Sequence, residues 1–146
     1  MNHPISHIVS AFLLSEEIPL VDPPSVDGEW PLFLTGLPDM PSNAVALHDT
    51  QGEKKGRILA TGQHIFSYGL QISIRSVDYL TGWRKAQAIQ ALLETVKQEE
   101  VIAEEDSYLL DSLVQTSPVL TLGPEQGTSR RELFTINYVV FAKALD

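Results

Sequence analysis

The sequence predicts an α+β fold in which a single antiparallel or mixed β-sheet carries two main α-helices on one face. Three observations lead there. Apolar residues recur at helical spacing over about 4–17 and again over about 81–98. Between them, residues 64–77 alternate strictly between apolar and polar. After the second helix the alternation resumes in three runs separated by turn residues. Strands joined by short turns pair antiparallel, and amphipathic helices must hide their apolar stripes against a sheet face.

The first helix rests on Ile5, Ile8, Val9, Phe12 and Leu13, spaced three and four apart, with Pro4 suited to the first turn because its missing N–H would be unpaired there. The next stretch, IPLVDPPSVDGEWP, holds four prolines and one glycine and reads as an extended connector over about 18–30 within one domain. Pro31–Thr35 and Ala44–His48 are short apolar runs on either side of the LPDMPSN loop and are expected as strands. From Asp49 to Gly62 the chain turns polar and charged with three glycines, which predicts an exposed, hairpin-like loop.

Leu70, Ile72 and Ile74 then alternate with Gln71, Ser73 and Arg75 on the clearest strand. Ala86, Ile89, Leu92, Leu93 and Val96 line one stripe of the second helix. The final strands are expected around Ser107–Thr116, Val119–Leu122 and Arg130–Lys143, with Phe134, Ile136, Tyr138 and Val140 on one face of the last. The sequence is expected to form one domain over 1–146, a length ordinary for a single core.

Composition narrows function. Nineteen Asp and Glu against ten Lys and Arg give a net charge of −9, which argues against a protein that grips nucleic acid through a basic face. There is no cysteine, hence no disulfide, thiolate nucleophile or cysteine zinc site. The start has no basic residue before its apolar stretch, so no signal peptide is expected, and no run approaches the ~20 apolar residues that cross a bilayer.

Reactive constellations are equally sparse. His3 and His7 share a helix face at a spacing of four, but no carboxylate or third histidine is near them in the chain. Terminal histidines are ordinarily solvated, and His48 and His64, at strand ends, have the same expectation. Ser67, Ser73 and Ser76 lie in or beside a strand rather than on a glycine-flanked elbow, and GRILATG lacks the Gly-Lys-Ser ending of a phosphate loop. EEVIAEED, residues 99–106, gathers five carboxylates without the glycine and alternating ligands of a calcium loop, so a solvated helix end and turn is expected. No catalytic residue, cofactor site or metal site is expected.

Arginine and aromatic residues are enriched where proteins meet. On that ground Trp30, Arg75, Arg130 and Arg131 are interface candidates, with Arg84, Phe33, Tyr79 and Trp83 adding to the same surface chemistry, joined by Asp49, Glu53, Lys54, Lys55 and Arg57 of the expected loop.

The order of parts also carries a resemblance. Ala46, Leu47, Asp49, Thr50 and Gly52 form one motif; Gly69, Leu70, Gln71, Ile72, Ile74 and Arg75 form a strand directly before a helix that carries Gly82, Lys85, Ala86, Ile89 and Leu92. Arg131, Phe134, Thr135 and Asn137 close the set on a terminal strand. Over about residues 31–142 the chain resembles the minor capsid or tail terminator proteins of long-tailed bacteriophages. It departs from their usual double-glycine turn by placing Gln51 before Gly52.

The resemblance implies a structural virion protein at the head–tail interface, assembled in the host cytoplasm. Such a protein is a hexameric ring of identical subunits that stops tail-tube growth, contacts the tail tube protein and the head–tail connector or adaptor, and passes DNA through its lumen without binding it specifically. It implies no cofactor, no catalysis and no membrane partner. The competing expectation, from composition alone, is a small cytosolic oligomeric binding or regulatory module without catalytic activity.

Overall fold

In a computed structural model, residues 2–16, 18–57, 64–125 and 130–145 are described, without the side chains of 53–57 and 64–66. The elements run α1 (Ile5–Ser15), β1 (Leu32–Leu34), β2 (Ala44–Arg57), β3 (His64–Ser76), α2 (Tyr79–Glu94), β4 (Glu99–Ala103), β5 (Asp106–Gln115), β6 (Leu120–Pro124) and β7 (Glu132–Ala144). The fold is α+β with one mixed, seven-stranded sheet, as the periodicities predict.

Sheet order is β1-β2-β3-β7-β5-β4, and β6 also pairs with β7. β7 is the organising strand: β3 lies along one side of it, while β6 and β5 follow one another along the other. Register brings Leu47, Ile72 and Ile136 into one row and Val45, Ile74 and Phe134 into the next. Paired residues point to the same face, so these rows make one continuous apolar surface. The buried side chains of α1 and α2 join it in a single cluster with Leu70, Tyr108, Leu110, Tyr138 and Val140. On the reverse side the row is polar, and Gln71 Nε2 donates to its register partner Asn137 Oδ1 at 3.2 Å.

Each helix starts where a carboxylate meets its free N–H groups. Asp78 caps α2, its Oδ2 accepting from the Thr81 backbone N–H at 2.9 Å and the Thr81 hydroxyl at 2.8 Å. α1 follows Pro4, which offers no side-chain cap. A residue far along the chain substitutes: Asp49 accepts from the Ser6 backbone N–H at 2.9 Å and from its hydroxyl at 2.7 Å. The carboxylate also sits at the positive end of the helix dipole.

Three sequence expectations are corrected. Asp49–Gly62 is not a loop over most of its length, because β2 continues to Arg57 and pairs with β3 out to Arg57↔His64. Its polar, glycine-bearing composition suits a ribbon that has left the core, and irregular register between Thr50 and Glu53 and between Lys54 and Gly56 twists it. Residues 58–63 lie outside the described residues.

The acidic run is not a helix end. α2 stops at Glu94, Gln98 takes a positive φ of 50°, and β4 begins at Glu99. Val101 and Ala103 are buried while Glu99, Glu100 and Ile102 are exposed, so a period-two strand was hidden among carboxylates. With Ala103 paired to Asp106, Glu104 and Glu105 form a tight hairpin turn.

β1 and β2 pair in parallel, Leu32↔Val45 and Leu34↔Leu47, against the expectation that a short connection makes neighbours antiparallel. Residues 35–43 carry the chain back along the sheet. Within the connector of 18–30, Val21 forms a parallel bridge with Pro31, its N–H donating to Trp30 O at 3.0 Å.

Candidate functional site

The interface candidates separate by position. Trp30, Arg75 and Arg131 lie beneath the surface, Arg75 at 1% exposure. Trp30 belongs to the apolar cluster, and Lys85 Nζ stands 5.0 Å from its ring centre. Burial pulls the Lys85 ammonium below its ordinary pKa. Asp49 is exposed but tied to α1. Arg130 is exposed. Glu53, Lys54, Lys55 and Arg57 stand on the β2–β3 ribbon, and their side chains lie outside the described residues.

Arg75 and Arg131 share one acceptor network. Arg75 Nε donates to Ser42 O at 3.0 Å and its Nη2 to Pro41 O at 2.6 Å, with longer reaches to Asp39 O and Glu125 Oε2, both 3.4 Å. Arg131 donates Nε to Glu125 Oε1 at 2.8 Å and Nη1 to Asp39 O at 2.5 Å, and its Nη2 also contacts Glu125 Oε1. Two guanidinium forks therefore clasp the return segment 35–43 and bind it to the residue after β6. Burial, then repulsion from Arg131, lowers the Arg75 pKa, and Glu125 and Asp39 oppose that effect. Both arginines hold this segment in place.

Outward-facing features lie elsewhere. Beyond the Gly69↔Val139 and Tyr68↔Val140 pairs, β3 loses β7 as a partner, and the segments 53–57 and 64–67 pair only with each other among the described residues. They form a two-stranded arm. It carries Lys54, Lys55 and Arg57, three of the chain's ten basic residues. Exposed apolar side chains stand on β6 (Leu120 43%, Leu122 58%), at the start of α2 (Tyr79, Leu80) and in the connector and return segments (Val26, Met40). Tyr79 Oη lies 3.4 Å from Thr121 Oγ1, which places the start of α2 beside β6. Tyr79 is among the aromatic residues the sequence points to, whereas Leu120 and Leu122 were missed because they alternate as a half-buried strand does.

Tertiary contact also changes the surroundings of the terminal histidines. His3, His7 and Glu104 form a group whose ligand atoms all lie within 4.8 Å of one another. No local sequence signal announces it, since Glu104 is a hundred residues away.

A mixed seven-stranded sheet around a long central strand, with a two-stranded arm beyond it and two helices, makes up this scaffold. The family comparison gives this scaffold its place: residues 20–140 match the model of a family described as bacteriophage tail terminator protein. That match spans well over half of the chain, and the chain belongs to the family. No curated protein matches it. One solved structure is similar over 75% of this chain and 77% of its own, at 11% identity and a TM-score of 0.36, too distant to inform the fold or the function. The family makes the chain a phage structural protein and a virion component. No helix among the described residues is long and apolar enough to cross a membrane.

Proposed function

We propose that the chain closes into a homohexameric ring that caps the finished tail tube and joins it to the head–tail connector. DNA passes through the lumen, and the role is non-enzymatic. The observation that carries this is the family match over residues 20–140.

Physical argument supports the geometry. A closed ring needs two different patches on each subunit. The β6 edge with Leu120, Leu122, Tyr79 and Leu80 serves as one. The outer edge of β4, which has no strand partner among the described residues and exposes Ile102, serves as the other. A globule of this length has a radius of gyration of about 15 Å and a diameter of about 38 Å. Six such subunits leave a hole about one subunit wide, enough for duplex DNA. The net charge of −9 keeps phosphates from adhering to the wall.

The β2–β3 arm reaches axially to the tail tube, its basic residues meeting acidic groups on the neighbour. Excising 53–57 together with 64–67 shortens the arm in register and is expected to abolish tail joining in an assembly assay without unfolding the sheet. Normal joining by that variant would remove the arm from the interface.

The decisive measurement is molar mass by light scattering, alone and with the tail-tube protein. A six-subunit species in either condition, lost in the Leu120→Asp/Leu122→Asp double variant, is expected. A stable monomer or dimer in both conditions would overturn the ring.

A further inference from the structure

We propose that His3, His7 and Glu104 form a binding site for a divalent transition metal of the zinc class, which staples the start of the chain to the β4–β5 turn. The proposal is independent of ring formation.

The ligand set assembles from two distant parts of the fold. His3 precedes Pro4, and His7 lies one turn on, in α1, with ring centroids 4.9 Å apart and nearly perpendicular. Glu104 sits at the tip of the β4–β5 hairpin, where its positive φ of 56° turns the chain. His3 Nε2 is 3.1 Å from Glu104 Oε2. Ligand bonds of about 2.1 Å in a tetrahedral array set donor atoms about 3.4 Å apart. The His3–Glu104 pair already meets that spacing, and His7 reaches it by a small rotation from within the 4.8 Å group.

The second nitrogen of His3 is held independently. Its Nδ1 is 2.5 Å from the hydroxyl of Tyr108, a residue only 1% exposed, and 3.6 Å from Asp106 Oδ2. Asn2 Nδ2 steadies that carboxylate with a 3.1 Å hydrogen bond. A metal-ligating histidine commonly gives its other ring N–H to such a partner, which fixes the tautomer and leaves the outer nitrogen's lone pair free. With Nδ1–H donated to Tyr108, Nε2 presents its lone pair toward Glu104. His3 is also well placed to be ordered, since its side chain is 10% exposed.

Two imidazoles and one carboxylate select Zn²⁺, Co²⁺, Ni²⁺ or Cu²⁺ over Mg²⁺ and Ca²⁺, which prefer all-oxygen shells. Three protein ligands leave one position for water or for a group on a neighbouring molecule. The bound ion bridges residues 3 and 104 and so restrains α1 on the hairpin.

The test is calorimetric titration of the untagged full chain with Zn²⁺, and separately with Mg²⁺. One Zn²⁺ per chain is expected, with a rise in Tm that a chelator reverses and that Mg²⁺ does not produce. Co²⁺ in its place should show the visible absorption of a four-coordinate N/O site. Glu104→Gln, at an exposed turn tip and so harmless to folding, should weaken Zn²⁺ binding at least tenfold. Tyr108→Phe should weaken it about 10- to 100-fold through His3 alone. His48→Asn should leave it unchanged. No stoichiometric Zn²⁺ binding, or binding that survives both His3→Asn and Glu104→Gln, overturns the proposal.

Discussion

Arg75 tests whether a buried arginine in this chain serves the fold or an interface. Arg75→Met keeps the apolar stem and deletes the fork. Four contacts disappear, two of them short: Nε to Ser42 O at 3.0 Å and Nη2 to Pro41 O at 2.6 Å. Hydrogen bonds from a charged donor are worth roughly 1.5–3 kcal/mol each, so the two short ones amount to about 3–6 kcal/mol. Against that, the variant relieves the burial of a charge and its repulsion with Arg131, the two leading causes of the lowered Arg75 pKa. Glu125 keeps Arg131 as a partner, so no carboxylate is stranded. A net loss of about 3 kcal/mol follows, toward the lower end of what breaking a buried ionic contact costs. For a chain of this size that corresponds to a Tm fall of about 6–12 °C. Urea unfolding followed by circular dichroism measures the loss, and amide exchange across 37–43 should accelerate as the return segment loosens. Arg75→Lys should not rescue, because an ammonium cannot serve Ser42 and Pro41 with a planar fork. A loss below about 1 kcal/mol with unchanged exchange would refute the clasp. Full stability with loss of ring formation would make Arg75 an interface residue instead.

Three further outcomes follow from the same geometry. Asp49→Ala removes both acceptors of Ser6 and should cost about 1 kcal/mol, with faster exchange confined to the first turn of α1. Gly82→Ala should destabilise by about 1–3 kcal/mol in a denaturant titration. The added Cβ would meet Phe134 Cε2 at 2.5 Å and Ser76 Cβ at 2.9 Å, which outweighs the ~1 kcal/mol helix gain of alanine. Tyr138→Phe should be neutral or stabilising by up to ~1 kcal/mol at pH 7, because the Tyr138 hydroxyl is buried with no partner among the described residues. Burial, then Glu94, raises its pKa, so its contribution is complete below the ordinary phenol value of about 10 and is lost as pH rises through the folded value. The variant should lose less stability than the parent between pH 7 and 11, and an equal or greater loss would refute that assignment.

The legible parts of this fold are those where a periodic apolar pattern faces one core. α1, α2, β3 and β7 follow from their stripes, and the buried residues Ile8, Ile72, Ile89 and Ile136 are the ones the periodicities pick out. β4 was illegible because Val101 and Ala103 are a two-residue signal among five carboxylates. The outer half of β2 was illegible because a ribbon beyond the core needs no apolar alternation, only a partner strand. Arg75 and Arg131 stood out by residue type, but their acceptors, carbonyls at 39, 41 and 42 and a carboxylate at 125, were illegible because they are distant in the chain.

By itself the sequence determined the α+β class, the two helices, the main strands and the likeness to tail terminators, because each rests on local periodicity or on the order of motifs. Tertiary structure alone decided the parallel β1–β2 pairing, the capping of α1 by Asp49 and the clasp on residues 35–43. It also decided the meeting of His3 and His7 with Glu104. Each of those joins groups dozens of residues apart, and polar contacts of that kind depend on distance and direction in space, which spacing along the chain does not encode.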